Sequence, residues 1–126
     1  MSSGDETRVV YIVDDDASVL KAIGRLLASV GVKYRAFDNP DSFLASIRAN
    51  PIPVAILDVW MDGITGLELQ SKLHNVSPQT RVIIMTGRSD GGVRKTAMKL
   101  GASAFLVKPF GDVELINAVQ AAFASS

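Results

Sequence analysis

The chain contains no cysteine, which excludes disulfide scaffolds, thiolate metal sites and cysteine nucleophiles. It has one histidine, His74, so polyhistidine metal centres are excluded as well. Its longest unbroken apolar run is Val9 to Val13, five residues, whereas a bilayer span needs about 20. No charged-then-apolar leader opens the chain, so the expected location is cytoplasmic, away from membranes. Excess charge is missing too. Thirteen basic and thirteen acidic residues balance, which argues against a broad phosphate-binding surface and against direct nucleic-acid binding. No linker, low-complexity tract or charge block divides the sequence, and only Met1 to Thr7 reads as a polar lead-in.

What is present is an ordinary globular composition, 126 residues with 48% apolar and 21% charged. That is one domain, expected over residues 8–124, able to bury roughly two-thirds of the surface its unfolded chain exposes. Short apolar runs alternate with amphipathic stretches. The runs are Val9–Val13, Val54–Leu57, Val82–Met85 and Ala104–Val107, and a fifth segment, Val32–Phe37, carries Lys33 and Arg35 and reads as a half-exposed strand. Between them, Val19, Leu20, Ile23, Leu26, Leu27 and Val30 fall at helical spacing, with Gly31 placed to end the helix. Asn39-Pro40-Asp41 resembles a helix start, followed by Phe43, Leu44 and Ile47. Leu67 to Leu73 gives a third helix, and Val93 to Leu100, closed by Gly101, a fourth. Asp112 is placed to cap a fifth, which carries Leu115, Ile116, Val119 and Phe123.

Five strands alternating with five helices predict an α/β fold, a doubly wound parallel sheet with helices on both faces. Strands one, three and four are continuously apolar, so they belong in the centre. The second alternates and belongs at an edge, which suits the order 2-1-3-4-5. Phe105, Leu106 and Val107 make the fifth strand unusually apolar for an edge, a sign that something docks there.

The chemistry lies in the residues directly after the strands. Asp14, Asp15 and Asp16 come after strand one, Asp58 after strand three, Thr86 after strand four and Lys108 after strand five. In a parallel doubly wound sheet these points share the carboxyl edge, where ligands bind. Any one of them could simply cap the next helix, and Asp16, directly before the first, suits that role best. Lysines are usually solvated, which is the plain alternative for Lys108. All of them together are poorly explained by capping. Carboxylates clustered on one rim repel and need a proton or a cation, and an all-oxygen cluster without His or Cys suits magnesium.

Val-Asp-Asp-Asp at 13–16, Asp58 closing an apolar strand, Thr86-Gly87 closing another and Lys108-Pro109-Phe110 closing the last resemble the receiver domain of bacterial two-component response regulators. The resemblance covers about residues 8 to 124. It implies a flavodoxin-like, chemotaxis-Y-like domain that is a regulatory switch rather than an enzyme, taking a phosphoryl group from the phosphohistidine of a sensor histidine kinase. By matching position, Asp58 would be the phosphoacceptor. Asp14, Asp15, Asp58 and the backbone carbonyl of Trp60 would hold Mg2+, Asp15 directly. Thr86 and Lys108 would bind phosphoryl oxygens, and Thr86 and Phe105 would form the switch, with the face of helix four, strand five and helix five as output surface and a possible homodimer interface. The resemblance also implies a cis peptide at Lys108-Pro109, and it fits either a single-domain regulator or part of a longer protein, such as one with a DNA-binding half. One position departs from the pattern: Met61 is followed by Asp62 where the family usually has proline, adding a carboxylate beside the metal site.

Other readings compete. Asp14-x-Asp16 faintly resembles the nucleophile motif of haloacid-dehalogenase phosphatases, which are magnesium-dependent, but a later acidic pair and a cap domain are missing. A flavodoxin-type cofactor binder would need a Gly- or Ser/Thr-rich loop after strand one. Phe105 suits core packing as well as a switch. His74 is expected to complement a helix C-terminus, and Arg94, Lys95 and Lys99 to form a solvated helix face. Gly91-Gly92 is expected to loosen the start of helix four. Trp60 and Arg88, each the second residue after a site residue, stand where the family controls water access to the phosphoryl group. Trp60 can cover the site, and Arg88 either reaches over it or extends into solvent, which predicts a long-lived phosphoryl state.

Overall fold

The computed structural model describes residues 8–87 and 91–125. Five strands, β1 (Val9–Val13), β2 (Lys33–Phe37), β3 (Val54–Asp58), β4 (Arg81–Thr86) and β5 (Ala104–Val107), alternate with five helices. These are α1 (Ala17–Ser29), α2 (Pro40–Ala49), α3 (Gly66–Val76), α4 (Gly91–Lys99) and α5 (Asp112–Ala124). Every strand pairing is parallel, and the order is β2-β1-β3-β4-β5. β3 is buried from end to end, and β1 and β4 are buried except at their first residues, as strands covered on both faces must be. Alternate side chains enter two separate cores. Tyr11, Val13, Ala55, Leu57, Val82 and Ile84 point to the side of α2, α3 and α4; Val10, Ile12, Val54, Ile56, Ile83 and Met85 point to the side of α1 and α5.

Local signals act as the residue types dictate. The Asp16 side chain accepts from the Ser18 N–H as N-cap of α1, and Asn39 accepts from the Ser42 N–H at α2. Gly31 and Gly101, both with positive φ, close α1 and α4. At α5 the expectation fails. The N-cap is Gly111 and Asp112 is the first helical residue. Glu114 accepts from the Gly111 N–H instead, and Asp112 sits where its charge favours the helix N-terminus.

The second strand lies at the edge as expected, but its burial does not alternate. Lys33 to Ala36 are all exposed and only Phe37 is buried. The cause lies in what covers it. The Arg35 guanidinium lies over the rings of Tyr11 and Phe37, at 5.7 and 5.0 Å, so long polar side chains shield the aromatic core there. On the opposite edge, β5 is partly covered from within the molecule, with Ala104, Phe105 and Val107 half-exposed. Leu106 is buried in the α1–α5 core and Phe105 packs, half-buried, against the other.

Candidate functional site

The carboxyl edge gathers the residues singled out in the sequence. Asp14 directly follows β1, is 1% exposed, and accepts from the Asp16 N–H at 2.9 Å. Asp58 is the last residue of β3, 4% exposed. Between them stands Lys108, whose Nζ lies 2.8 Å from Asp14 Oδ2 and 3.0 Å from Asp58 Oδ1. Asp15 is exposed, and one oxygen from each of Asp14, Asp15 and Asp58 falls within a 4.8 Å span. Asp16 stands apart from this group because its carboxylate is turned to Ser18.

Each of these positions is held by main-chain structure. The Asp14 N–H donates to the Phe37 carbonyl, and the Val59 N–H to the Met85 carbonyl, which prolongs the pairing of β3 and β4 past Asp58. The Lys108 N–H donates to the Thr86 carbonyl at 2.8 Å, so the ammonium is anchored to the strand that ends in Thr86. Thr86 itself is fully buried. The Lys108-Pro109 peptide is cis, as the resemblance implied. Gly66 begins α3 with its N–H donating to the Val59 carbonyl at 2.8 Å. A Cβ there would overlap the Asp58 carbonyl, so only glycine lets the helix approach so closely behind Asp58.

The electrostatics arise from this packing. Burial, opposed by the hydrogen bond from Lys108 and reinforced by the charges of Asp14 and Asp15, pushes the Asp58 carboxyl above its ordinary range. Burial pulls the Lys108 ammonium down, but its hydrogen bonds to Asp14 and Asp58 and their charges outweigh it, so it is held above the usual lysine value. Exposed Asp16 is held below the carboxylate range by the side-chain and backbone hydrogen bonds from Ser18. Three carboxylates against one ammonium leave negative charge uncompensated, and the donors are all oxygen. Such a set fits a hard divalent cation that keeps several waters.

Around this centre, Trp60 is 43% exposed and Phe105 is half-buried, with the Arg94 guanidinium 5.7 Å from the Phe105 ring centroid. Arg94 is therefore more than a solvated member of a basic run. Arg88 lies outside the described residues. His74 is exposed in the last turn of α3. Gly91, expected to loosen α4, opens it as its first residue. Two contacts had no sequence signal: Arg94 over Phe105, and a hydrogen bond from the Asp62 N–H to Asp15 Oδ2. Among the described residues no helix is long and apolar enough to cross a membrane.

Comparison with known proteins agrees with this architecture. The response regulator TmoT of Ectopseudomonas mendocina is 36% identical over 94% of this chain and 54% of its own. The transcriptional regulatory protein FixJ of Azorhizobium caulinodans is 37% identical over 96% and 57%. The chain thus spans about half the length of the curated relatives it matches. Among solved structures, the beryllofluoride-activated NtrC4 receiver domain dimer superposes with a TM-score of 0.90 at 28% identity, covering 94% of this chain and 98% of that one. The family model described as the response regulator receiver domain matches residues 10–120, and with the fold and these relatives it establishes that the chain belongs to the receiver domains of two-component response regulators.

Proposed function

We propose that this domain, residues 8–124, accepts a phosphoryl group on Asp58 from the phosphohistidine of a sensor histidine kinase in the presence of Mg2+, and that the change at Asp58 switches an output surface. The observation that carries this reading is the Asp58 carboxylate, buried at a strand end, with the Lys108 ammonium 3.0 Å away and Asp14 and Asp15 beside it. An Asp58 oxygen attacks phosphorus, the phosphorus–nitrogen bond breaks, its electron pair stays on the donor imidazole, and an acyl phosphate results. Two anions must meet in that step, so positive charge is needed where the oxygens gather it.

Asp14, Asp15, Asp58 and the Trp60 carbonyl would hold Mg2+, which when bound supplies positive charge at the phosphoryl oxygens. Lys108 pairs with those oxygens from the other side, exchanging its resting partner Asp58 for the phosphoryl group. Thr86 donates its hydroxyl to the phosphoryl oxygens, and Phe105 turns inward as Thr86 moves. The α4, β5 and α5 face is the output surface and the homodimer interface. Where such a domain is joined to an output half, such as a DNA-binding one, it regulates that half, and it acts in the cytoplasm. The phosphatase reading gains nothing from the site, because Asp16, needed for its motif, is engaged by the Ser18 N–H.

The test is reaction with phosphoramidate or acetyl phosphate plus Mg2+, followed by peptide mapping of borohydride-trapped protein. Label at Asp58, absent in Asp58→Asn, is the expected result. Label at Asp14 with Asp58 unmodified would overturn the assignment.

A further inference from the structure

Asp62 differs from the residue that the family's pattern usually places after Met61, and the difference matters in the main chain. Proline has no N–H; Asp62 has one, and it donates to Oδ2 of Asp15 at 3.4 Å. The bond ties the loop after β3 to the loop after β1, directly across the rim of the carboxylate cluster. We propose that the Asp62 backbone amide is a positioning group that orients the Asp15 carboxylate for a divalent cation, and that the Asp62 side chain is dispensable for this. The inference rests on reading Asp14, Asp15 and Asp58 as the magnesium site.

The three carboxylates are not equally held. Asp14 and Asp58 are buried, and each is ion-paired to Lys108. Asp15 is exposed, and among the described residues Lys108 pairs with the other two and not with it. Asp15 is therefore the member whose side chain has most freedom to lose when a cation captures it. Fixing one such side chain beforehand is worth roughly two- to tenfold in affinity. One N–H occupies one of about four lone-pair sites of a carboxylate, so the bond orients Asp15 and leaves oxygen available to the cation. Asp62 is exposed, and its carboxylate is not in the group whose oxygens converge within 4.8 Å.

Trp60 is the chain's one tryptophan and stands between Asp58 and Asp62, so its fluorescence reports Mg2+ at this rim. Titrations compare wild type, Asp15→Asn, Asp62→Ala, which keeps the N–H, Asp62→Pro, which removes it, and a backbone ester at position 62 installed by semisynthesis. The ester replaces the N–H by oxygen, with a weaker Met61 carbonyl acceptor as its one other change, and carries the test if proline disturbs the loop. Metal-free melting temperatures are measured alongside, to separate positioning from loss of structure. The expected result is Asp62→Ala within about twofold of wild type, with the ester and Asp62→Pro raising the Mg2+ Kd roughly two- to tenfold. An ester variant that binds as wild type does overturns the proposal, and so does an Asp62→Ala loss equal to that of the ester. A wild-type response to Mg2+ that Asp15→Asn leaves unchanged overturns the magnesium reading itself, a separate and recognisable failure.

Discussion

The Nζ of Lys108 rests 3.0 Å from Oδ1 of Asp58, so the proposed acceptor is paired, before any reaction, with the cation proposed to bind the phosphoryl oxygens. The pair is shared, because the same ammonium also holds Asp14 at 2.8 Å. One positive charge thus serves two buried carboxylates and stands next to a third. The site is under electrostatic tension that the proposed Mg2+ would relieve.

That tension sets a pH dependence. Burial, above all, holds the Asp58 carboxyl above its ordinary range, so the folded protein takes up this proton at a higher pH than the unfolded chain. Ionised Asp58 therefore lowers stability above that window, and the deficit disappears as pH falls through it. Asp58→Asn is predicted to raise the melting temperature at pH 7 by roughly 2–5 °C, with the gain shrinking towards acid pH. Thermal unfolding across a pH series checks both parts. A variant less stable than wild type at neutral pH would show that the Lys108 pair outweighs the burial.

Removing the ammonium should do the opposite. Lys108→Ala leaves Asp14 and Asp58 facing each other in a buried setting, for a predicted loss of about 1–3 kcal/mol, less than for a fully enclosed pair because Lys108 keeps some solvent. Millimolar Mg2+ is predicted to restore part of that loss. Urea unfolding with Mg2+ or with EDTA measures it, and equal stability in the two would sever the link between Lys108 and the carboxylate cluster.

Arg94 offers a handle on the switch. Its guanidinium over the Phe105 ring, 5.7 Å from the centroid, is a contact worth about 0.5–1 kcal/mol at a partly exposed position. It favours the half-buried ring position of this state. Arg94→Gln is predicted to raise the inward population in unmodified protein by roughly two- to fivefold. Fluorine NMR of 4-fluorophenylalanine at position 105 would read the shift, and an unchanged spectrum would show that the ring is held by packing alone.

Trp60 is predicted to lengthen the lifetime of the phosphoryl group. Hydrolysis needs a water in line with phosphorus, and a large, 43% exposed indole two residues from Asp58 offers no carboxylate or amide to place one. Trp60→Asn is predicted to speed decay of the phosphorylated protein by roughly tenfold, a change of about 1.4 kcal/mol in barrier. Equal or slower decay in the variant would remove Trp60 from this role and leave Asp58 untouched.

Much of this arrangement is legible in the residues alone. Val9–Val13, Val54–Leu57 and Val82–Met85 are unbroken apolar runs because those strands are covered twice, and such runs leave few alternatives. The rim residues were legible because parallel topology sends every strand end to one edge, so Asp14, Asp58, Thr86 and Lys108 converge whatever the loops do. Less visible was anything decided by the main chain. Gly111 and Asp112 both suit a helix start, and the capping hydrogen bond that separates them is accepted by Glu114 from a backbone N–H. The Asp62 amide is hidden for the same reason, since every residue but proline has an N–H and a residue type cannot announce where it points. β2 misled through its neighbours. Arg35 reads as a solvent-facing charge, yet it covers Tyr11 and Phe37 with its guanidinium.

The sheet's partition of the interior into two clusters divides core mutations into two sets that act independently. Ile47 lies in one cluster and Ile23 in the other, with the strands between them. Shortening either to valine costs about 0.5–1.5 kcal/mol, and the double variant should lose the sum of the two to within about 0.5 kcal/mol. β5 obeys the same rule as β1, β3 and β4, with Phe105 on one side and Leu106 on the other. A change of side chain on one face therefore need not be matched on the opposite one, in the four residues of β5 as in the central strands.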